Sequence, residues 1–332
     1  MDDLLTDGLQ QLLKDRCTPQ LVREVEAGQS LSAFWAALEE SGFADALVPE
    51  ARGGAGLTLP AVFPLLELCG NFAVPAPLAH TMLARALLAE SGLAPPAGSI
   101  AVAPVATRVD AVLRCALVPF GGVADWVLTC VDGSCTLLPV AEATMRHAVF
   151  PLDATLEWDE ATVAQAERAP GAHDLEALAA CCAAAQISGA LMNVFSRTLE
   201  YANERQQFGR AIGKFQAIQH QLSVISEHVF AARMAAQVGC HSSNHVPQRL
   251  RVALAKARTS EAAVEVAALS HSIHGAIGFT AEFDLQLYTR RLHAWRQATG
   301  SESYWHGVLG EELVDRHQGL AIDMIRMTTD IH

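Results

Sequence analysis

From residue 174 onward the chain repeats apolar residues at helical spacing almost without interruption, and this repeat limits the fold more than any other feature. Asp174 can cap a helix that runs to about Glu204. Phe215, Ile218, Leu222, Ile225 and Val229 then follow in alternating steps of three and four, the stripe of a second long helix. A third, rich in alanine, begins at Pro247 and runs to Ser272 or beyond, and residues 284–298 and 302–314 read as two more. Helical stripes of this kind are stabilised chiefly by packing on one another, so long helices with short connections imply an antiparallel bundle of four or more.

The N-terminal part is helical too, but broken. Thr18 and Pro19 form a cap and first-turn pair, Ser30 precedes the amphipathic run LSAFWAALEESG, and 59–69 and 77–91 read as helices separated by Pro75 and Pro77. Glycines at 53, 54 and 56 lack a preceding strand and the G-x-G-x-x-G spacing, so they predict a turn rather than a phosphate loop. Between 95 and 169 the texture changes to short valine- and leucine-rich runs at 100–105, 111–117 and 126–130, with Asp132-Gly133 as a hairpin signal. The expected organisation is a helical domain at 1–94, a small β domain at 95–169 and a helical bundle at 170–332.

Composition bounds the function. Of 332 residues, 51% are hydrophobic, enough for a sizeable core, and the formal charge of −13 argues against non-specific nucleic-acid binding. The absence of an 18-residue uncharged apolar run, and Asp2 and Asp3 after Met1, predict neither membrane insertion nor a secretory leader. Eight cysteines without metal spacing read as buried reduced thiols in a cytoplasmic protein. His220, His228, His241, His271 and His293 lack a zinc-binding arrangement, and His241 and His245 fall in a loop marked by Ser242, Ser243, Asn244 and Pro247, so no metal is expected.

Chemistry concentrates at the elbow between the first two bundle helices, 199–216, LEYANERQQFGRAIGKFQ. Arg205 near a helix C-terminus has a bland reading, a cation beside exposed carbonyls, and a sharper one, a planar fork for a phosphate. In the second reading Phe208 lies on a flat aromatic ligand and Gln216 bonds its polar edge. The segment YANERQQFGRAIGKFQAIQHQL resembles the flavin-contacting segment of the acyl-CoA dehydrogenase family, in which the arginine meets the FAD pyrophosphate. SIHGAIGFTAEFDLQLYTRR, 272–291, is similar to the family segment that reaches across a dimer to a neighbour's FAD, and LVPEARGGAGL, 47–57, to its N-terminal turn.

The resemblance implies a mainly α fold with a small middle β domain, FAD as cofactor, and α,β-desaturation of an acyl-CoA thioester. In that reaction a carboxylate removes the α proton while the β hydrogen leaves as hydride to the flavin. It also marks Arg205, Phe208, Gln216, His274 and Gly275 as cofactor-binding. The family's catalytic glutamate, aligned forward from 288–291, falls on Thr299, which cannot serve as that base. Glu176, one turn before the alternative family position at Ala179, is the candidate in its place; Glu302 and a carboxylate from another chain remain open. The family's hydroxyl-bearing loops against the flavin ring have no counterpart in 95–169, so they are shortened or supplied by another chain.

Ser272 and Ala276 stand where the family commonly has glutamine and glycine, so the Arg205 half-site looks complete and the half-site lent to a neighbour does not. This asymmetry resembles the shortened bacterial heteromeric acyl-CoA dehydrogenases, whose substrates include CoA esters of steroid side chains. It implies a homo- or hetero-oligomer with a related chain, with this chain either a catalytic flavoprotein subunit or a non-catalytic partner that shares FAD.

Overall fold

The computed structural model describes residues 2–170, 173–242, 246–317 and 319–330; the loop expected at Ser243, Asn244 and His245 lies outside the described residues. The chain forms two compact units, one of Met1–Leu66, Val74–Cys182 and Ser242–Pro247, the other of Glu67–Ala73, Ala183–His241 and Gln248–His332.

The first unit carries α1 (Asp2–Arg16), α2 (Pro19–Glu26), α3 (Ser32–Glu40), the start of α4 (Leu59–Asn71) and α5 (Leu78–Glu90). Thr18 caps α2 as its spacing predicts, its Oγ1 accepting from the Leu21 amide at 3.2 Å. The turn at Pro49 continues as a short 3-10 segment, Glu50–Arg52, and is held tight by Gly54, where a Cβ would sit 2.1 Å from the Val48 carbonyl oxygen. Arg85 ties this unit together from the interior: Nη1 donates to both Asp45 oxygens, Nη2 to the Gly98 carbonyl and to Glu39.

Eight strands of the first unit make two four-stranded sheets. β1 (Ile100–Ala103), β4 (Trp126–Val131), β5 (Ser134–Pro139) and β8 (Glu167–Ala169) pair in the order β1-β4-β5-β8. β2 (Thr107–Val109), β3 (Val112–Val118), β7 (Ala154–Asp159) and β6 (Thr144–His147) pair as β2-β3-β7-β6. Among the described residues only the β1–β4 pairing is parallel. Asp132 and Gly133 do turn β4 into β5, with φ of 51° and 79°, the two left-handed residues of a tight hairpin. Inward residues of both sheets, among them Leu113, Cys115, Val127, Leu138, Leu156 and Trp158, share one core. Between β7 and β8 lies α6 (Glu160–Gln165).

The second unit is the bundle. α7 (Leu175–Glu204) enters it from the first unit, capped as expected by Asp174, whose Oδ1 accepts from the Ala177 amide at 2.9 Å. α8 (Gln216–Gly239), α9 (Arg249–His274), α10 (Leu285–Gln297), α11 (Glu302–Glu311) and α12 (Ala321–Thr329) follow, with a π-turn at Glu312–Arg316. α8 and α9 run antiparallel: Gly239 meets Ala255, and His228 Nδ1 lies 3.1 Å from Arg258 Nη2. The end of α4 crosses α7 almost backbone on backbone, with no room for a Cβ at Gly70 or Gly189. By length and composition α7 would suit a membrane span, but 83% of its most apolar stretch is buried inside the protein.

Candidate functional site

At the elbow, α7 stops at Glu204 and the chain makes a two-residue ladder, β9 (Gln206–Gln207) against β10 (Arg210–Ala211), before α8 begins. Phe208 and Gly209 turn it with φ of 51° and 79°. A left-handed conformation is uncommon for phenylalanine. The turn leaves its ring 92% exposed, edge-on to Phe215 at 6.1 Å. Arg205 follows the last residue of α7, its amide bound to the Tyr201 carbonyl at 2.8 Å and its own carbonyl accepting from the Ile212 amide at 2.8 Å. The Arg205 side chain is exposed, and among the described residues no carboxylate pairs with it. Arg210, across the ladder, instead lies over the Phe215 ring at 4.2 Å.

This elbow and the end of α9 line one cavity of about 580 Å³, whose walls include Tyr201, Arg205, Phe208, Phe215 and the run Ser272–Ile277. The two segments expected to hold two different flavin half-sites thus meet within a single chain. α9 ends at Gly275, where φ is 65° and nothing lies within 4 Å of a would-be Cβ, so backbone faces open space. His274 is 4% exposed, stacked on Tyr201 with ring centroids 4.4 Å apart and tilted against Phe283 at 5.1 Å. Burial holds its imidazole below the ordinary histidine range, against the opposing hydrogen bond to the Ser270 carbonyl. A larger recess of about 710 Å³ in the first unit has neither lysine nor arginine on its walls, so it offers no cation for a phosphate.

Of the expected site residues, Arg205, Phe208, His274 and Gly275 line the cavity. Gln216 opens α8 in an exposed position, and it is not among the lining residues, although Phe215 and Ile218 are. Glu176 sits half-buried in the first turn of α7, in the first unit, and is not among the residues that line the cavity. Tyr201 escaped the sequence reading although it stands one helical turn before Arg205, a spacing that puts both on one face.

The position where the family's base is expected lies between α10 and α11. Thr299 and Gly300 form another left-handed pair, with φ of 56° and 92°. Thr299 Oγ1 donates to the Ala298 carbonyl at 2.7 Å, and the Thr299 carbonyl accepts from Trp305 Nε1 at 3.0 Å. Beneath the loop, Lys256 of α9 is fully buried; its Nζ donates to Gly300 O at 2.8 Å, Arg296 O at 3.0 Å and Ser260 Oγ at 3.0 Å. Burial pushes this amine down to about 7. Glu302 is held by Arg296: burial alone would raise its carboxyl, but the Arg296 hydrogen bond, with the other favourable contacts, brings it below its usual range. Glu302 is therefore engaged in fixing the loop. Among the described residues no group of three His, Cys, Asp or Glu is arranged for a metal ion.

The family described as "Acyl-CoA dehydrogenase, C-terminal domain" matches residues 176–313. The acyl-CoA dehydrogenase IpdE2 of Mycolicibacterium smegmatis is 31% identical over 90% of this chain and 94% of its own length. The protein of the same name from Mycobacterium tuberculosis is 32% identical over 89% of this chain and 91% of its own. The chain belongs to the acyl-CoA dehydrogenase family. Its fold is shared by the ChsE4-ChsE5 complex of Mycobacterium tuberculosis, with a TM-score of 0.82 at 23% identity, covering 95% of this chain and 98% of that one.

Proposed function

We propose that this chain is an FAD-binding subunit of an acyl-CoA dehydrogenase that works with a related partner chain in the α,β-desaturation of an acyl-CoA thioester. One observation carries the reading: an arginine with no carboxylate partner among the described residues and a glycine-opened helix end share one cavity with aromatic walls. These residues fit the family's cofactor. Arg205 would grip the diphosphate, the Gly275 backbone would lie along it, and Phe208 would cover a flat ring. When bound, FAD supplies the hydride acceptor. The chain's own part is to bind and orient it and, with a neighbour, to exclude water.

The base is the open part of the mechanism. Thr299 carries a hydroxyl in place of a carboxylate, and Glu302 is bound to Arg296. Glu176 is the candidate within this chain. The second reading, in which a sister chain holds base and substrate, is favoured by the threonine itself and by the likeness in fold to a complex of two named chains. Expression alone and with a related chain, followed by visible absorption and turnover, separates the two. A yellow, active single chain inactivated by Glu176→Ala without loss of flavin supports Glu176 as base. A chain that gains flavin and activity only with its partner supports the second. Flavin content unaffected by Arg205→Ala in either preparation removes the cavity from both.

A further inference from the structure

The β4–β5 hairpin places two cysteines directly opposite each other. Its register pairs Cys130 with Cys135, and the Asp132-Gly133 turn, left-handed at both residues, fixes that register. Val131 and Ser134 flank the turn and form the hydrogen-bonded pair that closes it, so the next pair outward, Cys130 and Cys135, is of the non-hydrogen-bonded kind. In such a pair the Cα atoms lie about 4.5 Å apart and both side chains leave the same face of the sheet. A disulfide needs Cα atoms roughly 4.4–6.8 Å apart, so these two thiols can join with the backbone in place. Their closeness has a second sign: burial pushes the Cys135 thiol up to about 11, and the Cys130 thiol adds to the rise. Thr129, on the other face of β4, meets Cys115 of the core shared by the two sheets, so the cysteine pair is turned away from that core. Of the eight cysteines, all of them described and all free thiols, Cys130 alone is not buried, whereas Cys135 is 1% exposed.

We propose that Cys130 and Cys135 are a reversible oxidation site for peroxide, in which Cys130 reacts first and Cys135 closes a cross-strand disulfide onto it. Exposure sets the order, because a reagent in solvent reaches Cys130 and not its neighbour. The Cys130 sulfur attacks one oxygen of hydrogen peroxide, the O–O bond breaks, and a sulfenic acid and one water result. The Cys135 sulfur then attacks the Cys130 sulfur, the S–O bond breaks, and the hydroxyl leaves as a second water with the Cys135 proton. Both thiols are oxidised, and the peroxide takes up their two electrons and two protons. Burial disfavours the Cys135 thiolate, but the His173 backbone hydrogen-bonds this residue and opposes that effect, and the target sulfur is held beside it. A lone sulfenic acid goes on to sulfinic acid, which ordinary thiols do not reverse; the disulfide stops the reaction at a stage they do reverse. Both cysteines belong to the first unit, so the proposal stands apart from the Arg205 cavity.

The test treats the full chain with hydrogen peroxide, caps the remaining thiols with N-ethylmaleimide in denaturant, and maps peptides cut before aspartate. Such cleavage puts Cys130 on peptide 125–131 and Cys135 on peptide 132–152. The wild type is expected to lose two of its eight thiols and to yield these two peptides joined, and dithiothreitol should return both thiols. Cys135→Ser should give no joined peptides and should accumulate sulfinic acid on Cys130 about tenfold beyond the wild type at the same dose. Cys130→Ser should leave the buried Cys135 unoxidised. The wild type decides the matter even if a variant fails to fold. Sulfinic acid on its Cys130 without joined peptides overturns the proposal, as do links that involve other cysteines equally often. So does retention of all eight thiols at a dose that already oxidises the exposed Met234 and Met327.

Discussion

The elbow at Phe208-Gly209 and the loop at Thr299-Gly300 are built on the same backbone device, a non-glycine residue and then a glycine, both left-handed, joining two bundle helices. Their surroundings are opposite. At the elbow the cation is exposed, the phenyl ring is 92% exposed, and the neighbouring imidazole has a bare acceptor. At the loop Lys256 takes the carbonyls of Arg296 and Gly300, Trp305 takes that of Thr299, and Arg296 takes Glu302. Strained backbone is retained where its surroundings over-determine it. At the loop the protein supplies all of that determination, so the loop is a fixed element of the bundle. At the elbow part of it is missing, and a ligand is the natural complement.

The difference is measurable, and the largest effect belongs at the loop. Lys256→Met removes the donor for two carbonyls and a hydroxyl within the interior and should cost about 3–5 kcal/mol in urea unfolding. A melt like that of the wild type would mean the loop is not held from below. Gly300→Ala comes next: at φ of 92° its Cβ would lie 2.6 Å from Tyr304 Cδ1 and 2.7 Å from Trp305 Nε1. Displacing the buried Trp305 on top of the backbone strain should cost about 2–4 kcal/mol, against about 1 kcal/mol for Gly209→Ala, whose added methyl meets nothing within 4 Å. Equal costs at the two glycines would erase the contrast. Arg205→Ala should leave unfolding within about 0.5 kcal/mol of the wild type while weakening FAD binding by roughly 10- to 100-fold, the range for charge-assisted hydrogen bonds. Destabilisation without loss of flavin would make the arginine a structural cap.

These contrasts also mark what the sequence could disclose. The bundle helices and the Asp132-Gly133 hairpin were legible because period and turn chemistry are local properties. Arg205 stood out because no acid follows it within reach. Lys256 did not, though it falls at helical spacing from Ala253 and Ser260 on the buried stripe of α9, a lysine where the pattern wants a small residue. Its acceptors are carbonyls on either side of the loop, and no residue type announces a carbonyl. The tautomer of His274 depends likewise on one carbonyl of its own helix. The meeting of 201–215 with 272–277 in one cavity was hidden because the resemblance assigns the second segment to a neighbour's site, and periodicity alone does not say which helix ends are adjacent. α12 escaped because MIRMTT and its flanks expose most of their apolar residues, leaving only Met324 and Thr328 buried.

The smallest expected effect is a pH dependence centred on the cavity. His271 lies below the ordinary histidine value, by burial first and then by the imidazoles of His274 and His293, and burial lowers His274 as well. Both rings stack on aromatic partners, His271 on Phe279 at 4.3 Å and His274 on Tyr201 at 4.4 Å. As pH falls past 6.5 the unfolded chain takes up these protons before the folded one, so the unfolded state gains relative stability. The contribution is complete above 6.5 and is lost as pH falls through the lower folded values. Melting temperature should therefore drop on the acid side of neutrality, and His274→Phe, which has no proton to gain, should drop less than the wild type. A melting temperature as sensitive to acid in His274→Phe as in the wild type would mean that this imidazole takes no part in the dependence.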